Sequence, residues 1–148
     1  MSYLITKETE KDISHLIAIG FLHCMIEDTL ETYREDSFTN NDEIVEFLGV
    51  DFDTEKSIES AILAICQSFP KNLNYLVENF ERLNTWDKFG AYLYLDLAGH
   101  GVGLWEFSRE LSDAIRALWA GKEIFVISAY VCDNGFIYLE SMPNIGAN

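Results

Sequence analysis

The chain has 148 residues, with 10 Lys and Arg against 25 Asp and Glu, a formal net charge of −15. Hydrophobic residues make up 49 % of it and aromatics 14 %, enough for the core of a single domain despite the acidity. The charge argues against a direct binder of nucleic-acid backbone or of an anionic membrane, both of which require clustered cations.

Residues 1–12 lack the basic, apolar and small-residue succession of a signal peptide, so none is expected. The longest apolar run, Leu16 to Ile26, is 11 residues long and contains His23. A membrane span needs about 20 residues, so the run reads as a buried helix. Thr9 and Asp12 form a capping-box pattern ahead of it. Ile13, Leu16, Ile17, Ile19, Phe21, Leu22, Cys24, Met25 and Ile26 fall on almost every helical face, which predicts burial on several sides. Beyond them Ile26, Leu30 and Tyr33 keep a helical spacing while Glu27, Asp28, Glu31, Glu35 and Asp36 face water. Residues 37–42 form a polar connection, and Ile44, Val45, Phe47 and Leu48 one or two helical turns. Asp51 to Thr54 offer N-caps. Ile58, Ile62, Ile65, Phe69, Leu73, Leu76, Phe80 and Leu83 then recur in steps of three and four, a helical stripe that Pro70 should kink or break near residue 69, the unbroken register favouring one kinked helix.

After residue 89 the pattern changes. Leu93, Leu95 and Leu97 alternate with Tyr92, Tyr94 and Asp96, which predicts a strand. Gly99-His100-Gly101-Val102-Gly103 follows as a turn or bulge, and Leu104 to Phe107 as the second strand. Ser108 caps a helix through Leu111, Ala114, Ile115 and Leu118 that stops at Gly121. Residues 124–131 and 136–139 read as strands joined at Asp133-Asn134-Gly135, a hairpin signal. The expected fold is α+β in one domain, 1–148: a helical half, 9–84, packed on an antiparallel ββαββ half, 89–140, with a frayed tail, 141–148.

Few motifs carry chemistry. The three cysteines, Cys24, Cys66 and Cys132, form no C-x-x-C pair and read as free thiols in a reducing cytoplasm. The G-x-G-x-G spacing at 99–103 departs from the G-x-G-x-x-G dinucleotide fingerprint and lacks the Lys-Ser/Thr of a phosphate loop. The glycines read as backbone punctuation, with His100 as a ligand or general base in the alternative. His23 with Glu27, and Asp12 with His15, read as helix side-chain pairs rather than a metal site. No cofactor, metal or catalytic residue is expected.

The stretch 90–107 resembles a family of small bacteriophage and prophage proteins that carry a segment close to G-H-D-F-W-L-T-R-N-G-H-G-A-G-F-W-D-R, followed by a helix, a strand and a D-D-G turn. Gly90, Leu95, Gly99, His100, Gly101, Gly103 and Trp105 match it identically; Leu93, Tyr94, Leu104 and Glu106 match in kind. The family's T-R-N becomes Asp96-Leu97-Ala98 and its D-R becomes Glu106-Phe107. The resemblance covers residues 90–140. It implies a phage origin and a setting in the cytoplasm of an infected bacterium, and shared turn architecture more than shared chemistry.

The acidic residues carry the strongest functional signal. Residues 27–59 hold twelve acidic residues against Arg34 and Lys56, a net −10. Glu27, Asp28, Glu31, Glu35, Asp36, Asp42, Glu43 and Glu46 form the candidate surface. It reads either as a solubility coat or as an imitation of a phosphate ladder that attracts the cationic groove of a nuclease, a restriction or CRISPR complex, or a DNA-binding regulator of the host. The expected function is therefore a non-enzymatic phage accessory protein that binds a basic host protein. A ligand-binding or hydrolytic Gly-His-Gly loop and a virion assembly component are the alternatives. Oligomeric state stays open.

Overall fold

The first apolar segment folds as one long helix. The computed structural model describes residues 9–36, 49–99, 101–120 and 127–141, with backbone alone for 34–36, 70–72, 127–128 and 140–141. In it α1 runs Glu10–Asp36, 27 residues or about 40 Å at the α-helical rise. Its first backbone bond runs from the Ile13 N–H to the Thr9 carbonyl at 3.0 Å. Ile13, Ile17, Ala18, Phe21 and Met25 are fully buried. Burial on several sides does not hold all round, because Leu16 and Ile19 are 38 % and 48 % exposed, on a face that also carries Asp12, His15, His23 and Glu27. By length and composition alone Glu10–Tyr33 is apolar enough to cross a bilayer, a span longer than the uninterrupted apolar run.

Strand β1, Gly49–Val50, leads directly into α2, Phe52–Ser68. Asp51 makes the predicted cap: its Oδ2 accepts from the N–H groups of Asp53 and Thr54 at 3.1 and 3.3 Å. Helix α3 is Pro70–Asn79. Of the kink or break expected near residue 69 the structure has the break, since Phe69 leaves the helical region with φ −132° and ψ 44°. Phe69 still donates to Ile65 O and accepts from Leu73 N–H, so one residue closes α2 and opens α3. Proline is tolerated there because the first turn of a helix needs no N–H donor. The stripe keeps its role: Ile58, Ile62, Ile65, Leu73, Leu76 and Leu83 are all buried.

The strand expected from Leu93 to Leu97 is a helix, α4, Trp86–Ala98. Its buried residues include Trp86, Phe89, Gly90, Leu93 and Tyr94, a 3–1–3–1 spacing that only a helix places on one side. The second expected strand is a 3₁₀ turn, Leu104–Glu106. Helix α5, Arg109–Ala120, begins at the predicted cap, where Ser108 Oγ accepts from Leu111 N–H at 3.3 Å. Strands β2, Ile127–Val131, and β3, Phe136–Ser141, form the predicted hairpin, with Val131 opposite Ile137. Gly135 takes φ 85° and donates to Cys132 O at 2.8 Å. Strand β1 adds in parallel to β3, giving a three-stranded mixed sheet in the order β1-β3-β2. The fold is thus α+β, mostly helical with a small mixed sheet, and the ββαββ half is replaced by helix, 3₁₀ turn, helix and hairpin. The expectations for 37–48, for Gly121, for 124–126 and for the tail beyond 141 lie outside the described residues.

The core is organised around one close crossing. A Cβ on Gly20 of α1 would stand 1.9 Å from Asp87 O of α4, and one on Gly90 would stand 2.0 Å from Ile17 O. The two helices therefore touch backbone to backbone, and only glycine fits at either position. Beside that crossing Phe21 meets Tyr94 edge-on at 5.4 Å and stacks on Trp119 of α5 at 5.4 Å. One aromatic side chain thus ties α1, α4 and α5 together.

Candidate functional site

The acidic surface depends on how α1 and α2 run. Gln67 Nε2 donates to Glu10 Oε1 at 3.0 Å, and Lys11, Ser14 and His15 share a groove with Lys56, Glu59 and Ser60. The two helices are therefore antiparallel. The C-terminal turns of α1 carry Glu27, Asp28 and Glu31, and the N-terminus of α2 carries Asp51, Asp53 and Glu55.

The nominated carboxylates are not equivalent. Glu27 is exposed and pairs with His23 Nε2 at 3.1 Å, an ordinary helix pair. Asp28 is half-buried and accepts from Tyr94 Oη at 2.7 Å, so it is committed to the core. Glu31 is exposed. Glu35 and Asp36 occupy the last turn of α1, described there by backbone. Asp42, Glu43 and Glu46 lie outside the described residues. Asp53 and Glu55 sit at the positive N-terminal end of α2, where carboxylates stabilise the helix. The acids in the last turns of α1 sit at the negative end of its dipole, where they oppose it. Helix stability accounts for the first group and not for the second.

The glycine loop joins two helices, not two strands. Gly99 closes α4 in the left-handed region at φ 76°, its N–H donating to Asp96 O and Leu95 O. Gly101 has φ 80° and open space around it. Gly103 packs on Asp96, whose Cβ would stand 2.5 Å from an added methyl. Trp105 is half-buried in the 3₁₀ turn. His100 lies outside the described residues. With Gly90 at the helix crossing, four of the glycines that carry the phage resemblance have a backbone role.

A buried network escaped the sequence reading. Asp96 is 3 % exposed. It accepts from Ser112 Oγ at 2.6 Å and from Arg116 Nε at 2.8 Å, and Arg116 also donates to the Asp96 carbonyl at 3.2 Å. The available signal was Ser112, a polar residue on the stripe Leu111, Ser112, Ile115, Trp119. With both carboxylate oxygens occupied and Ser112 buried, this network joins α4 to α5 and presents nothing to a substrate. Nearby, the Arg82 guanidinium lies 4.9 Å from the Phe107 ring and 5.7 Å from the Tyr92 ring, with Glu106 at 3.7 Å.

The thiols of Cys24 and Cys66 and the Tyr94 phenol are held neutral. Burial pushes the Cys24 thiol up to about 11, helped by Asp28 and then Glu27. Burial likewise pushes Cys66 up to about 12, helped by Glu10. Tyr94 is raised by burial and by its bond to Asp28. Such thiols are not thiolates near neutral pH and are poor nucleophiles. Among the described residues no three His, Cys, Asp or Glu side chains converge as metal ligands. Compared with protein-family models, with curated proteins and with solved structures, the chain finds no match.

Proposed function

We propose that this chain is a non-enzymatic binder that occludes a basic protein surface with the acidic end of its helical half. The observation that carries the reading is the run of carboxylates on the C-terminal turns of α1, exposed at Glu27 and Glu31, including acids that oppose the dipole of the helix bearing them. Charge placed against helix stability fits a role in recognition. A negative surface held on ordered helices competes for a groove evolved to hold phosphates, and long-range attraction speeds the encounter. The phage-like segment supplies the context: a host nuclease, restriction or CRISPR complex, or DNA-binding regulator is the class of partner, met in the infected bacterial cytoplasm.

The test is capture of host proteins on the immobilised chain, native against a variant carrying Glu31→Lys, Glu35→Lys, Asp42→Lys and Glu43→Lys. The native chain should retain a basic protein at low salt and release it as salt rises, because screening shortens to about 3 Å at 1 M. The variant should retain none. A partner held equally by both chains, or held regardless of salt, defeats the proposal.

A further inference from the structure

We propose that the outward stripe of α1 is a self-association surface, on which a second copy of this chain lays its own α1 antiparallel to form a two-fold dimer. Helix α1 is held by α4 at the crossing of Gly20 and Gly90 and borders α2 at Lys11, Ser14 and His15. Along another side Leu16, Ile19, His23, Ile26 and Leu30 recur in steps of three, four, three and four. At 3.6 residues per turn they fall within an arc of about 80°. That is the seam spacing of one helix packed along another. Leu16, Ile19 and His23 are exposed, and Ile26 and Leu30 are half-buried. Single exposed apolar residues are ordinary, but this seam continues over about four turns.

The charges beside the seam select the occupant and its direction. Two copies in parallel would set Glu27 against Glu27 and Glu31 against Glu31, which is repulsive. An antiparallel pairing centred at the level of Phe21 sets Leu16 opposite Ile26 of the second copy and Ile19 opposite His23, each twice. The same register sets Lys11 opposite Glu31 and His15 opposite Glu27, again twice. All four of these flanking residues are exposed. Opposite dipole ends also meet in that direction, and the contact is self-complementary, as a two-fold interface must be. His23 keeps Glu27 of its own helix at 3.1 Å. A polar residue inside a seam fixes register at some cost in stability. A purely cationic partner would leave Leu16 and Ile19 in water, and a purely apolar surface would strand Glu27 and Glu31. A second copy satisfies both. The turns of α1 beyond Glu31 extend past the start of the second helix. The acidic ends therefore stand at opposite ends of the pair, where a basic protein reaches either one.

The experiment is sedimentation equilibrium of the full chain from about 1 μM to about 1 mM, which spans moderate and weak dissociation constants. Salt is held at about 0.15 M, where repulsion between two acidic chains is screened beyond about 8 Å. The mass should rise with concentration from that of one chain towards that of two. Leu16→Gln/Ile19→Gln should weaken the dimer at least about tenfold, since each lost apolar contact occurs twice. Both positions are exposed, so circular dichroism and Tm should show the variant folded. Lys11→Glu and Glu31→Lys should each weaken the dimer, and the two together should restore it, because the swap exchanges the signs of a pair made between copies. A single-chain mass at every concentration overturns the proposal. If that chain instead floats with phosphatidylcholine vesicles through Leu16 and Ile19, the stripe belongs to a lipid surface. A dimer indifferent to Leu16→Gln/Ile19→Gln uses another face, and a charge swap that does not restore association overturns the antiparallel register. Leu16→Gln/Ile19→Gln leaves every carboxylate in place, so loss of the dimer and loss of the basic partner are separate outcomes.

Discussion

At the scale of single residues, two glycine environments differ in kind and should differ in energy. A methyl at Gly20 would meet a backbone carbonyl at 1.9 Å, and a backbone atom inside a helix cannot rotate aside. Gly20→Ala must force α1 and α4 apart, so it should cost about 3 kcal/mol, the upper range of overpacking. Gly101 has φ 80° and nothing within 4 Å of an added methyl, so Gly101→Ala should cost only about 1 kcal/mol of backbone strain. Urea unfolding of the two variants measures the difference, and equal costs would mean that the helices do not cross at glycine. Asp96 gives a second residue-level prediction. Arg116→Met leaves a buried carboxylate supported by Ser112 alone, and should cost about 2–3 kcal/mol, below the full 3–5 of a broken buried pair because Arg116 is half exposed. Adding Asp96→Asn removes the orphaned charge and should recover most of that loss in a double-mutant cycle. A double variant less stable than Arg116→Met would show that the carboxylate acts through some other contact.

At the scale of elements, local signals and tertiary signals separate cleanly. The cap at Asp51 is local, two hydrogen bonds to residues two and three ahead. Asp51→Ala should therefore cost about 1 kcal/mol, read by unfolding, with helical circular dichroism otherwise kept because α2 is held by its buried stripe. The caps at Asp51 and Ser108 and the Asp133-Asn134-Gly135 hairpin were legible for the same reason. So was the stripe from Ile58 to Leu83, whose eight members outvote any competing period. Helix α4 was misread because six alternating residues, 92–97, fit a period of two as well as a short arc of 3.6. Its true face, Trp86, Phe89, Gly90, Leu93 and Tyr94, becomes visible only when a glycine counts as a core residue, which hydrophobic patterning never allows. Two-residue β1 carries no period at all. The acidic excess of the candidate surface could be counted directly from the residues 27–59. The Asp96 network joins residues 16 and 20 positions apart, and no spacing rule links those.

At the scale of the whole molecule, buried acids and net charge both bear on stability in alkali, and they can be told apart. Cys24 and Cys66 titrate in the folded protein at about 11 and about 12, against an ordinary 9.0, and Tyr94 is raised as well. The unfolded chain loses these protons first. It therefore binds fewer protons than the folded chain above pH 9, and stability falls as pH rises. The contribution is complete below pH 9 and is lost progressively towards pH 11 for Cys24 and pH 12 for Cys66. A chain of net charge −15 also repels itself, and alkali adds to that repulsion. Salt separates the causes, since at 1 M the screening length is about 3 Å, which suppresses repulsion between surface charges but does not restore water to a buried thiol. Tm should hold steady from pH 7 to 8.5 and fall above pH 9, and the fall should persist in 1 M sodium chloride. In Cys66→Ala the slope between pH 9 and 12 should be shallower whatever its starting Tm, because that position no longer carries a proton to lose. A decline that disappears in high salt would assign alkaline sensitivity to surface charge and show that the thiols titrate as they do in water.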